Sequence, residues 1–305
     1  MNEARHAAHL EVAQVRRLAL ARAGLLAPEL TGLPARAAGQ GRRGRERAHA
    51  VIDRFGYLQL DSVPVSGART HGIVLASRLS GFDATFAETL LGAGEPLFEY
   101  WGHEACWMPL ALYPAFEFRR TAYRVHPWWG DVLGEHRRLA DDLLRRIEQE
   151  GALRSVDLEG RSGQGMWQTK LTSKVAEALW SAGRLAVAER RGFLRSFDLV
   201  ERVIPDAVRE TRIPTEQAFE LLLLKALDGH GWATTGTLAA TWRLRNCRPD
   251  IDAALAALVE SGQILPCGLR LGPRVISGWI RTEHLELIDA LMRLRPRRDR
   301  GVLLS

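Results

Sequence analysis

The stretch "MWQTKLTSKVAEALWSAGRLAVAERRGFLRSFDLV" (residues 166–200) decides the fold class. Its first part reads as a helix that stops at Gly183. From Leu185 onward, apolar and polar side chains alternate around Arg190-Arg191-Gly192-Phe193, which is the pattern of a β-hairpin. Upstream, "GEHRRLADDLLRRIEQEG" (134–151) places Leu139, Leu143, Leu144 and Ile147 on one helical face. Helix, second helix and two-stranded hairpin is the order of a winged helix. The second helix of such a unit enters or lies across a DNA groove.

The order recurs. "TEQAFELLLLKALDGHG" (215–231) is a helix with Thr215 at its cap, "TTGTLAATWRL" a short second helix, and "RPDIDAALAALVESGQIL" (248–265) a third. "ILPCGLRLGPRVISGWI" then supplies strands, and "EHLELIDALMRL" a terminal helix. Winged-helix-like units are therefore expected at about 134–205 and 214–282. The N-terminal third is expected to be another helical unit of this kind. It has an amphipathic helix over 10–26 and a helix from near Glu46 to Phe55, stopped by Gly56. Further helices are expected at 69–79 and at 83–92, the latter with Asp83 as N-cap. The fold class is thus mainly α with small β-hairpins (α+β), built from tandem winged-helix domains. The boundaries are 1–130, 131–212 and 213–305.

Composition narrows the functional classes. The chain has 305 residues, and no apolar run is long enough to span a membrane. The N-terminus lacks the apolar core and cleavage site of a signal peptide. Cys106, Cys247 and Cys267 are too widely spaced for a zinc or disulfide framework, so a reduced, cytoplasmic setting and no metal are expected. Net charge is +6 with a pI near 9.7, and arginine supplies nearly all of the positive charge. A GC-rich genome produces the same enrichment, but guanidinium groups are also what phosphate recognition uses.

"YLQLDSV" (57–63) places Gln59 and Asp61 inside an apolar run. On residue type alone, Asp61 starts a turn with Ser62. In a helix, residues two apart point about 200° away from each other. In an extended segment they share a face. Gly56 and Pro64 favour the extended form, in which an amide and a carboxylate could hold one water between them. That suits a hydrolase whose substrate departs easily.

Other motifs carry two readings each. In "WGHEACWMP" (101–109), Trp107 stands where HExxH requires its second His, so a zinc peptidase is rejected. His103 and Glu104 either brace the core or line a nucleic-acid cleft. His71 is either structural or, with Arg69, a phosphate contact. Trp128 and Trp129 either pack between domains or stack on bases. "GQGRRGRER" (39–47) lacks the GKS/GKT ending of an ATPase loop and reads as a mobile basic loop. Arg190 and Arg191, at the tip of the wing, are placed to touch phosphate or the minor groove. Lys170, Ser173 and Lys174 on the preceding helix are the matching candidates.

Together these segments resemble the winged-helix DNA glycosylases of the AlkZ/YcaQ type. The resemblance lies in "FGYLQLDSVPVSGARTHGIVLASRL", "LFEYWGHEACWMP" and "GRLAVAERRGFLRSFDLVERVIP", in one order across nearly the whole chain. The family's signature is Gln-x-Gln or Gln-x-Asp. Gln59-Leu60-Asp61 matches the Gln-x-Asp form, which is associated with unhooking of interstrand crosslinks. The resemblance implies that Gln59 and Asp61 are the catalytic pair. It also implies a substrate of double-stranded DNA with alkylated or crosslinked bases. Family members continue into a C-terminal β-rich domain. This chain stops at "GVLLS", so that domain is expected to be missing.

The chemistry fits. Alkylation at N7 or N3 makes a purine cationic and a good leaving group, so the acid of the usual carboxylate pair becomes dispensable. Asp61 would stabilise the oxocarbenium-like sugar and orient water at C1′, and Gln59 would hold that water. The segment has no lysine for a Schiff base, so a monofunctional, cofactor-free enzyme is expected, acting as a monomer. The alternative is a non-catalytic winged-helix regulator, which has no use for a water-holding pair.

Overall fold

The computed structural model describes residues 8–61, 63, 67–158 and 171–295. The fold is mixed α/β with small, mostly antiparallel sheets. Contacts gather it into two compact units. Unit 1 comprises Met1–Ala87, Gly102–Glu104 and Pro214–Ser305, and unit 2 comprises Glu88–Trp101 and Ala105–Ile213. The first and last of the three expected segments thus contribute to the same unit.

In chain order, unit 1 begins with β1 (Ala8–Glu11), α1 (Val12–Arg22), α2 (Arg42–Phe55), β2 (Leu58–Gln59) and α3 (Thr70–Arg78). Unit 2 holds the hairpin strands β3 (Leu97–Trp101) and β4 (Ala105–Pro109), then α4 (Glu117–Ala122), α5 (Arg137–Glu150), β5 (Leu153–Arg154), α6 (Leu171–Ser181), β6 (Leu185–Arg191) and β7 (Leu194–Leu199). The chain returns to unit 1 with α7 (Thr215–His230), β8 (Trp232–Ala233), α8 (Thr235–Thr241), α9 (Arg248–Glu260), β9 (Ile264–Leu271), β10 (Arg274–Arg281) and α10 (Thr282–Arg293).

The ends of unit 1 are tied together by a sheet of order β1-β9-β10-β8, in which β1 runs parallel to β9 with Ala8 opposite Cys267. Gly268 permits that approach, since a Cβ there would lie 2.7 Å from His9 and Val275. Beneath the sheet, Leu10, Leu18 and Ala21 pack with Cys267, Ile280, Ile288 and Leu291 into one buried cluster. Residues 8–11 are therefore strand, and the helix expected from residue 10 begins at Val12.

In unit 2, β5, β7 and β6 form an antiparallel sheet. β6 and β7 join through Gly192 and Phe193, both with positive φ (56° and 68°). Positive φ at both central residues marks a type I′ turn, whose twist matches that of the flanking strands. The core gathers Phe116, Ile147, Trp180, Val187 and Phe197. Trp180 donates its indole N–H to the Glu99 carbonyl (3.1 Å).

Two sequence expectations are corrected here. The basic segment read as a mobile loop is helical from Arg42, because Ala48, Val51 and Ile52 bury one face of α2. The segment 83–92 forms only a 3-10 turn, Ala84–Thr89. Asp83 accepts the Thr85 N–H (2.9 Å) and hydroxyl (2.7 Å), closing a tight turn in place of a longer helix.

Candidate active site

The geometry of β2 starts at Gly56. This residue ends α2 with φ of +77°, and a Cβ there would lie 2.8 Å from Trp242 and from Lys225. Only glycine makes this turn without strain. The chain then forms the short strand β2, and burial alternates from Tyr57 to Asp61. Leu58 (3 % exposed) and Leu60 (8 %) face the core, whereas Tyr57, Gln59 and Asp61 are half-buried. Gln59 and Asp61 therefore lie on one side, with Cα atoms about 7 Å apart at the rise of an extended chain. Asp61 Oδ1 accepts the Val63 N–H at 3.0 Å, so the carboxylate also closes a local turn. Ser62 and Pro64 lie outside the described residues.

Gln59 lines a cavity of about 300 Å³ within unit 1, with Phe55, Tyr57, Arg78, His230 and Thr241. The Thr241 hydroxyl donates to the Thr237 carbonyl (2.9 Å). The His230 Nε2, 2.9 Å from Thr241 Oγ1, must then be the donor in that pair. Protein packed around the ring lowers the His230 pKa from its ordinary value, favouring the neutral ring with its lone pair on Nδ1. The Arg78 guanidinium is spent on carbonyls, reaching Ala23 (3.3 Å) and Val74 (3.2 Å).

The remaining sequence candidates fall into groups. His103 Nδ1 donates to the Ala240 carbonyl (3.1 Å), and Glu104 is ion-paired with Arg243. Both side chains brace the end of α8. Arg69 caps α3 half-buried, and its carbonyl accepts the Ile73 N–H (3.1 Å). His71 is fully buried in α3, which corrects its reading as a phosphate contact. Ser173 and Lys174 are half-buried on α6, and Lys170 lies outside the described residues. Arg191 is exposed beside Glu189 (2.8 Å). Trp128 is exposed, with its ring edge-on to Trp101.

Arg190 is a correction. It turns inward and makes a bidentate pair with Glu99 (2.6 and 2.7 Å), which Arg195 also contacts (2.7 Å). Burial pushes the Glu99 carboxyl up, but the charges and hydrogen bonds of Arg195 and Arg190 outweigh it, and its pKa lies below the ordinary value. Residues 91 positions apart in sequence gave no signal of this pairing.

Sequence reasoning also missed a buried cluster in unit 1. Asp228 pairs with Arg22, with Arg54 (3.6 Å), with Arg281 (3.4 Å) and with His284 (3.4 Å). Burial raises the Asp228 pKa, but His284 and the arginines outweigh it and hold it at about 2. Asp228, Glu283 and His284 are close enough to share a cation. Three guanidinium groups already surround that carboxylate, so a divalent ion would meet concentrated positive charge. The cluster reads as an ion-pair network.

Comparison with known proteins bears on the chemistry. The family model "DNA glycosylase AlkZ-like" matches residues 52–305, a span that contains β2 and everything after it. The chain belongs to the AlkZ-like DNA glycosylase family. The structure of Streptomyces sahachiroi DNA glycosylase AlkZ is similar to this chain with a TM-score of 0.59 and 17 % identity. The alignment covers 92 % of this chain and 72 % of that one, and likeness at this identity speaks to the fold. The AlkZ-like assignment makes DNA the substrate and the N-glycosyl bond the point of attack. Among the described residues, no helix is long and apolar enough to cross a membrane.

Proposed function

We propose that this chain hydrolyses the N-glycosidic bond of N7- or N3-alkylated purines in double-stranded DNA and unhooks interstrand crosslinks, with Gln59 and Asp61 as the catalytic pair. The observation that carries the reading is the alternation of burial from Tyr57 to Asp61, through β2. It leaves an amide and a carboxylate half-exposed on one side, in a chain of DNA glycosylase family.

An N7- or N3-alkylated purine is cationic, so breaking its bond to C1′ returns the bonding electron pair to the base and neutralises it. Positive charge then develops on the sugar. Asp61 stabilises that charge and accepts the proton of the attacking water. Oδ1 is held by the Val63 N–H, which fixes the carboxylate and leaves Oδ2 for the water. Gln59 positions the same water without adding charge. No lysine lies between Gly56 and Asp61, and Lys225, which packs beside Gly56, is held in an ion pair with Asp53 (3.0 Å), so no Schiff base is invoked and the product is an abasic site in an intact strand.

The helix–helix–hairpin series α5, α6, β6–β7, and the later series ending in β9–β10, are read as winged-helix modules. Ser173, Lys174 and Arg191 are the DNA-facing residues of the first, and Arg69 contributes a phosphate contact near the catalytic strand. Incubation with DNA carrying N7-methylguanine, or a nitrogen-mustard crosslink, tests the proposal. Free base and unhooked strands without strand scission are expected. DNA binding with no release of base would support the non-catalytic regulator instead.

A further inference from the structure

The cavity beside Gln59 has no role in the steps above. Its volume, about 300 Å³, is at the lower end for small-molecule pockets and suits a single heterocycle better than a nucleotide. Phe55 and Tyr57 offer aromatic surface, Gln59 offers its amide and His230 its Nδ1 lone pair, while the Thr241 hydroxyl, bonded to Thr237 and His230, holds that ring in place. Such a lining is how enzymes hold a nucleobase, by its faces and its edge.

Charge narrows the ligand. None of the described residues lining the cavity is a carboxylate, and its guanidinium, Arg78, is engaged with the Ala23 and Val74 carbonyls. Those carbonyls are neutral, so the lining keeps the positive charge of Arg78 and disfavours a cationic ring relative to an uncharged one. The intact lesion is a cation, whereas the base becomes neutral once its bond to C1′ has broken.

We propose that this cavity is a binding site for the neutral alkylpurine base that the reaction releases, with Gln59 and His230 as base-recognition residues and Thr241 as the residue that positions the His230 ring. The proposal rests on the reading of Gln59 as part of the glycosylase site. It places the departing base against Gln59, so the pocket favours the bond-broken state over the cationic lesion. Free base is then a product inhibitor. A crosslinked purine, tethered to the opposite strand, enters the pocket only after both of its attachments are cut.

Calorimetric titration of the full chain with free 7-methylguanine tests this. Wild type is expected to bind the free base, and to bind cationic 7-methylguanosine at least tenfold more weakly. Gly229→Leu fills the cavity from α7. A Cβ at Gly229 meets only ordinary contacts, the nearest being the Arg54 carbonyl at 3.5 Å, so the helix tolerates it. Gly229→Leu and the milder Thr241→Val are each expected to weaken base binding at least tenfold, while Asp61→Asn retains it. No binding by wild type, equal binding of base and nucleoside, or full binding by both pocket variants would overturn the proposal. Wild type that binds free base but releases none from DNA would overturn the glycosylase reading and leave the pocket standing. Release without base binding would do the reverse.

Discussion

Replacing Glu99 by glutamine is the sharpest test of how unit 2 is held together. The Glu99 side chain is 0 % exposed, and its partners Arg190 and Arg195 are 5 % and 17 % exposed. Glutamine preserves the volume but removes the charge, and it cannot accept the bidentate pair. Arg190 then loses its counter-ion, and Arg195 keeps only the longer pair with Glu177 (3.8 Å). Breaking a buried pair from one side costs about 3–5 kcal/mol, because the remaining charge stays desolvated. At about 2–4 °C per kcal/mol, the unfolding transition that includes unit 2 should fall by on the order of 10 °C. Thermal unfolding followed by circular dichroism reads this directly. Sign and pH follow from the depressed carboxyl. Its contribution is complete above the unfolded carboxylate pKa, about 4.3, and is lost as pH falls through the lower folded value. Wild type should therefore lose stability on acidification below about pH 4, and Glu99→Gln should lose less over the same range. A loss under about 1 kcal/mol at neutral pH would mean that the arginines are rehydrated, and would refute the buried-network account.

Three further outcomes are expected. Gly56→Ala forces a Cβ to 2.8 Å from Trp242 at a φ of +77° and should destabilise the fold by at least about 1 kcal/mol, measured by urea unfolding. Asp228→Asn removes a carboxylate held at about 2, so the variant should be less stable at neutral pH and should lack the wild type's loss of stability between about pH 4 and pH 2 in acid titration. Arg191→Ala should weaken DNA binding about equally across sequences and lower the salt slope by about one, whereas Ala at buried Arg190 should act through stability.

What the sequence revealed depended on how local the signal was. The β6–β7 hairpin was legible because its turn residues and its alternation sit within sixteen positions of one another. The strand at Leu58–Gln59 was legible because Gly56 breaks α2 and the apolar residues alternate. β3 and β4 escaped notice because nearly every residue in them is buried, and strands covered on both faces show no alternation. β1 was invisible because its partner lies more than 250 residues away and the pairing leaves no local mark. Arg190 illustrates the same limit in side chains. A basic wing tip reads as a phosphate contact until Glu99 is brought beneath it. The cavity at Gln59 is likewise assembled from α2, β2, α3, α7 and α8, and no one of those segments announces it.

The central claim is that Asp61 acts on the C1′ centre of an alkylated nucleotide. It is tested most directly by single-turnover release of N7-methylguanine from DNA by wild type and by Asp61→Asn. Asparagine keeps the shape and can still accept the Val63 N–H, but it cannot stabilise the sugar cation or take a proton from water. The account predicts a fall of about 100-fold or more in the release rate with DNA affinity unchanged. Equal release rates for the two proteins would contradict it.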